Sequence, residues 1–340
     1  MKRLVLVLAA AALLLPGAAR SAACSPLACG PNQFLLAHGT LLAYRHSVGA
    51  PISVADLGSG ESLFTLPRGL VYGDVLVRSV GRRIDWFDAT TGKRTASTTL
   101  PWRFRLAGAS QDGSRAVAFH GTDVVIATPH AWRQVPLPSA RWDFDALRGR
   151  NLVLIRYLAN GYQVERVDLA GDTTPLRALK GVIWGQPWSR LSSADGRYLF
   201  TLYLAANGAA MVHELDLQNA TARCIDLPGT GDYGSGTSWA LALAPDRRTL
   251  WAVSPGYGRV VAIDIATRKV VDHFRISLPY WNLGTATRIA VSPDGTEAAL
   301  TDGETVARVS LHLRRVASRT SRRAVAVGYS PTTGELRTLP

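Results

Sequence analysis

Cysteine is scarce: the 340 residues hold Cys24, Cys29 and Cys224 and no others. No Cys-x-x-Cys pair and no His-Glu-x-x-His occurs, which removes the zinc ribbons, thiol oxidoreductases and zinc proteases that spacing would reveal. No Asp-rich twelve-residue loop of the calcium-binding kind is present. The histidines (His38, His46, His120, His130, His213, His273 and His312) are scattered and read as surface or turn residues. No metal ligand and no cofactor is therefore assigned. Long apolar runs are also missing: the longest, Leu4 to Leu15, falls short of the roughly 20 residues a spanning helix takes, so no transmembrane span is expected. Past that stretch no long segment repeats at 3.6 residues, which leaves helical folds without a signal.

What the chain does have begins with Met-Lys-Arg, the apolar run, Pro16-Gly17 and then Ser21-Ala22-Ala23. A basic start, a short apolar core and small residues before a cut describe a secretory signal peptide over 1–23. Residues 24–33 then form a short Cys-containing segment, followed by one domain over 34–340. Export is the expectation, as a secreted or cell-envelope-associated protein. Cys24, first after the cut, stands where a bacterial lipoprotein carries its lipid, although Ser21 fits that signal poorly. Two cysteine arrangements stay open: Cys24 with Cys29, leaving Cys224 a thiol, or a lipid on Cys24 and Cys29 with Cys224. The formal charge of +13 becomes +10 once Lys2, Arg3 and Arg20 are removed. Such a surface can dwell near an anionic envelope polymer, whereas no motif supports nucleic acid.

The stretch from Trp239 to Val271 holds three short apolar runs, closed by Ala-Pro-Asp, by Ser-Pro-Gly and by Asp264, and a fourth run follows. Runs of that length between turn residues are strands joined by hairpins. The first turn recurs as Ser110-Gln111-Asp112-Gly113, Ser193-Ala194-Asp195-Gly196, Ala244-Pro245-Asp246-Arg247 and Ser292-Pro293-Asp294-Gly295, with a degenerate copy at Asp145 to Asn151. An apolar residue sits five positions past each aspartate: Val117, Phe200, Trp251 and Ala299. A second element ends the third run with Asp56, Asp88, Asp168, Asp216 or Asp264. Together they cut the chain into units near 34–69, 70–104, 105–140, 141–182, 183–231, 232–277 and 283–320. The tail from Arg322 carries one more strand pair.

At Ser292-Pro293-Asp294-Gly295 and around Ala262-Ile263-Asp264 the chain resembles a β-propeller of the YVTN and WD40-like kind. The Trp-Asp dipeptide of that family is missing from its expected place, since Trp142-Asp143 reads as a loop. The resemblance implies an all-β propeller of seven blades, each of four antiparallel strands, with the tail leaving room for six or eight. It also implies that the outer-to-inner connections gather on one face around the channel mouth.

Those connections are aromatic. They carry Trp102, Trp142, Trp184, Trp188, Tyr233, Trp239, Tyr280 and Trp281, with Arg288 close behind, and these nine are the candidate ligand-binding residues. Flat rings with one polar edge suit sugars, cations and peptide side chains. Rings at such positions also plug gaps between sheets. Trp188 and Trp239 share a repeat position and read as packing, whereas Tyr233, Tyr280 and Trp281 read as exposed. Arg103, Arg105, Arg190 and Arg288 lie near the rings and admit an anionic ligand.

Gly229-Thr230-Gly231-Asp232-Tyr233-Gly234 spells the dinucleotide pattern, but a strand and not a helix follows, so no pyrophosphate site is expected. Gly236-Thr237-Ser238 lacks the second glycine of a nucleophile elbow. No catalytic residue is assigned. The expectation is a non-enzymatic module that binds a protein, peptide or carbohydrate through the mouth loops. Two alternatives stand beside it. One is a propeller enzyme of the lactonase, lyase or dehydrogenase-subunit type, for which Asp143, Asp145 and Asp232 are the carboxylates at hand. The other is an envelope-docked module using the basic last unit, with Arg308, Arg314, Arg315, Arg319, Arg322 and Arg323.

Overall fold

A computed structural model describes residues 33–340 except 37–38, 48, 140–141, 159–160, 171–176, 180, 194 and 232–237. The signal peptide, Cys24, Cys29, Asp232 and Tyr233 lie outside the described residues. The chain forms seven four-stranded antiparallel sheets over 33–66, 70–99, 105–136, 142–178, 186–230, 240–275 and 288–324, each meandering in sequence order. First strands touch between blades 2 and 3, 3 and 4, 5 and 6, and 6 and 7, and fourth strands lie at the far edge of each sheet. This is a β-propeller of seven blades.

The two aspartate signatures work as local chemistry requires. Asp56, Asp88, Asp168, Asp216 and Asp264 each end a third strand, and each carboxylate accepts a backbone N–H two or three residues on, at 2.6–3.0 Å. Asp294 accepts the Ser292 hydroxyl at 2.6 Å and the Thr296 N–H at 3.0 Å, and Asp195 and Asp246 close their hairpins the same way. A short carboxylate that bonds its own backbone fixes the turn, hence the register of the strands it joins. The degenerate copy at Asp145 is different: Asp145 is buried inside a first strand, Trp142–Arg148, and the turn falls at Gly149.

Alternate residues of one blade serve two neighbours, because successive side chains leave opposite faces of a strand. In blade 6, Leu241, Leu250, Ala252, Val261 and Ile263 pack on Phe200, Leu202 and Val212 of blade 5. Their sequence neighbours Ala240, Val253 and Val260, with Phe274 of the fourth strand, pack on Ile289, Ala298 and Leu300 of blade 7. Burying one such Val, Leu or Phe is worth about 1.5–3 kcal/mol, and blade 6 buries both faces in this way. Blades 3 and 4 meet so closely that a Cβ on Gly108 would lie 2.1 Å from the Phe144 ring. In the outer strand Arg94–Thr99, Arg94, Thr95 and Thr99 face solvent as the rim requires, whereas Thr98 is buried and donates to the Thr128 carbonyl at 2.7 Å.

The ring closes through the tail. Ala326–Tyr329 and Leu336–Leu339 form a two-stranded hairpin between blades 7 and 1. Val327 and Tyr329 pack on Ala299, Val306 and Ala324 of blade 7. Val325, Ala326 and Leu339 pack on Leu42, Tyr44, Ala55 and Leu57 of blade 1. Arg337 donates to the carbonyls of Leu57 at 3.3 Å and Gly58 at 2.7 Å, and Gln33 donates to Ile289 O at 2.7 Å. The hairpin supplies two strands where a blade has four, so among the described residues the outer part of that sector has no strands of its own. Blade 7's fourth strand, Arg315–Ala324, is accordingly exposed on both faces from Ala317 to Arg323.

Candidate functional site

In this topology the second-to-third hairpins and the outer-to-inner connections share one face of the ring, called the top face below. Two polar groups stand out in the structure, one in the channel and one at the seam on this face.

The channel group sits on the first strands of blades 3 to 5. Asp143 accepts Arg105 Nη1 at 3.1 Å and the Tyr157 hydroxyl at 3.2 Å. A β-bulge between Phe144 and Ala146 re-aims Asp145. There it pairs with the Arg190 guanidinium, which also donates to the Asp145 carbonyl at 3.2 Å and to Thr201 Oγ1 at 3.3 Å. Burial raises the Asp145 carboxyl, with Arg190 opposing. Burial also pushes the Tyr72 hydroxyl up to about 12 and raises those of Tyr157 and Tyr203. The tyrosines are therefore neutral at ordinary pH. Both carboxylates face a guanidinium, so the group clamps three blades together and its charges are spent on one another.

The seam group lines an open recess of about 820 Å³ on the top face. His46 and Ser47 come from blade 1's second-to-third connection, Asn282 to Arg288 from the approach to blade 7, and Asp302 to Glu304 from blade 7's own hairpin. Ser321, Arg322, Arg323 and Val325 complete it, where the chain passes from blade 7 to the closing hairpin with a single residue between strands. Among the described residues no long outer-to-inner loop covers this sector. Asp302, 1% exposed, accepts the N–H groups of Asn282 (2.7 Å), Glu304 (2.9 Å) and Thr305 (2.7 Å) and so ties the loop to the blade. Arg288 is 7% exposed and donates through Nη2 to the carbonyls of Arg45 at 3.4 Å and His46 at 3.3 Å. Among the described residues its Nε has no partner, and burial lowers its pKa with no carboxylate among the causes.

The other candidates divide by exposure. Tyr280 is 92% exposed, with φ at +61° and the Arg319 guanidinium 6.0 Å from its ring centre. Trp184 is exposed beside Val182, which lies against Gly161, the strand partner of Leu158; Val182 and Leu158 are exposed too. Trp188 and Trp239 both fill the gap between blades 5 and 6. Trp102 is half-buried between blades 2 and 3, edge-on to Trp132 at 4.8 Å. Trp142 is buried between blades 3 and 4 under the Arg156 guanidinium.

Two expectations need correction. Trp142-Asp143 opens a first strand and is no loop. Trp281 is buried, because the loop folds back to give its indole N–H a partner, Thr287 Oγ1 at 3.0 Å. The envelope patch also splits: Arg308 pairs with Glu297 at 2.6 Å and Arg314 with Asp272 at 3.0 Å. The recess itself escaped sequence reasoning, since His46 and Arg288 are far apart in the chain and only ring closure brings them together.

No family model matches the sequence, and no curated protein matches it. Among solved structures, apo AztD from Citrobacter koseri is similar at 14% identity over 86% of each chain, with a TM-score of 0.53. A second crystal structure of Citrobacter koseri AztD gives 12% identity, the same coverage and a TM-score of 0.54. At such identity the likeness concerns the fold alone.

Proposed function

We propose that this is an exported, non-enzymatic propeller of the YVTN/WD40-like kind that binds a ligand or protein partner on its top face. The recess at the seam carries the reading: its volume lies within the roughly 300–1,000 Å³ of small-molecule sites, and its polar lining comes from four separate connections. Tyr280 adds to it. A tyrosine in the left-handed region, with its ring in water, is held at a local cost of about 1–2 kcal/mol, and burial of Trp281 and the Asn282–Asp302 bond provide that hold. In the channel, by contrast, Asp143 and Asp145 are paired off with Arg105 and Arg190. Export rests on the N-terminal residue pattern.

A thermal-shift panel of monosaccharides, amino acids, dipeptides, carboxylates and phosphates tests the binding reading. At least one class should raise the melting temperature of the wild type, and variants at the recess or at Tyr280 should lose the effect. A panel in which nothing binds, or binding that only channel substitutions abolish, would contradict it. N-terminal sequencing of protein recovered from outside the cytoplasm should begin at Cys24.

A further inference from the structure

We propose that the seam recess is an anion site, shaped for a small molecule carrying two or more carboxylate or phosphate groups. This deepens the binding reading above and depends on it. The argument starts from Arg288. Several sheltered guanidiniums in the ring face carboxylates: Arg190 with Asp145, Arg197 with Asp216 at 2.8 Å, Arg268 with Glu214 at 2.8 Å; Arg45, 4% exposed, lies instead over the Phe34 ring at 5.8 Å. Arg288, more than nine-tenths buried, has two long bonds to carbonyls, an Nε without a partner and no carboxylate among the described residues. A desolvated cation is costly until a counter-charge is supplied, and the recess is the open volume that Arg288 lines.

Two further cations converge there. Arg322 and Arg323 are exposed at the inner end of blade 7's fourth strand, with no ion-pair partner among the described residues. Two carboxylates, Asp302 and Glu304, also line the recess against the three arginines, which leaves a formal +1 from these five side chains. Asp302 is committed to three backbone N–H groups, which leaves Glu304 on the rim. His46, Ser47 and Ser321 offer further donors. Guanidinium forks match carboxylate and phosphate geometry. Three of them around about 820 Å³ suit a ligand larger and more highly charged than a single phosphate ion.

The test is calorimetric titration of the full chain at low salt with citrate, with pyrophosphate and with inorganic phosphate. Citrate or pyrophosphate should bind more tightly than inorganic phosphate, and binding should weaken as sodium chloride is added. Citrate alone would assign the site to carboxylates, and pyrophosphate alone to phosphates. The double variant Arg322→Ala/Arg323→Ala, both at exposed positions, should keep the wild-type melting temperature and lose affinity by about tenfold or more, as expected for charge-assisted bonds. Arg315→Ala, on the same strand outside the recess, should change nothing, and Glu304→Gln should tighten binding. Failure of all three anions, or affinity indifferent to Arg322→Ala/Arg323→Ala, overturns the proposal. If monosaccharides or dipeptides bind the top face while these anions do not, the binding reading survives and this inference falls.

Discussion

Gly108→Ala adds one methyl group where blade 3 meets blade 4. Its Cβ would fall 2.1 Å from two carbons of the Phe144 ring, itself wholly buried. Ordinary contacts lie at 3.5–4.0 Å, so the ring or the strand must retreat by more than an ångström. The surrounding core of Ala107, Val117, Phe119, Leu147 and Leu154 is packed at crystal-like density and has little to give. Overpacking of this kind costs about 1–3 kcal/mol. The backbone angle at Gly108 is ordinary, so the whole penalty is a contact between two blades. That makes it a double-mutant cycle: Phe144→Ala alone should cost about 3–5 kcal/mol, and adding Gly108→Ala to it should cost almost nothing further. The coupling energy, about 1–3 kcal/mol, can be read from urea midpoints followed by tryptophan fluorescence. A neutral Gly108→Ala, or strictly additive penalties, would show that these two strands do not face each other and would refute the packing of the ring.

Asp145→Asn should cost about 3–5 kcal/mol, because it strands the buried Arg190, while replacing both by leucine should recover most of the loss; equal melting temperatures for the single and double variants would contradict the clamp. Two neighbouring aromatics should part company. Trp281→Ala removes a buried ring and should cost about 3–5 kcal/mol, whereas Tyr280→Ala should change stability by no more than about 0.5 kcal/mol in either direction. Matching losses for both in a thermal melt would mean that Tyr280 is core.

The repeat was legible because its markers act over two or three residues. Asp264 bonds the Thr267 N–H, and Asp294 bonds Ser292 and Thr296, so each turn is written out where it forms. The same locality explains the success with the tail, which pairs with itself before it packs on anything else. Reading failed where a residue's setting comes from another blade. Asp143 and Asp145 look like loop carboxylates until Arg105 and Arg190 are brought across from blades 3 and 5. Trp281 looks exposed until the loop turns back onto Thr287. The recess is the extreme case, for its walls come from both ends of the chain and exist only once the hairpin has joined blade 7 to blade 1.

Hydrogen exchange of the full chain with and without saturating citrate or pyrophosphate tests the central claim most directly. Slowed exchange should be confined to the backbone around His46 and Ser47, Asn282 to Arg288, Asp302 to Glu304 and Ser321 to Val325, with the channel strands of blades 3 to 5 unchanged. Protection centred on those channel strands, or none at the seam from a ligand shown to bind, would contradict a binding site built by ring closure.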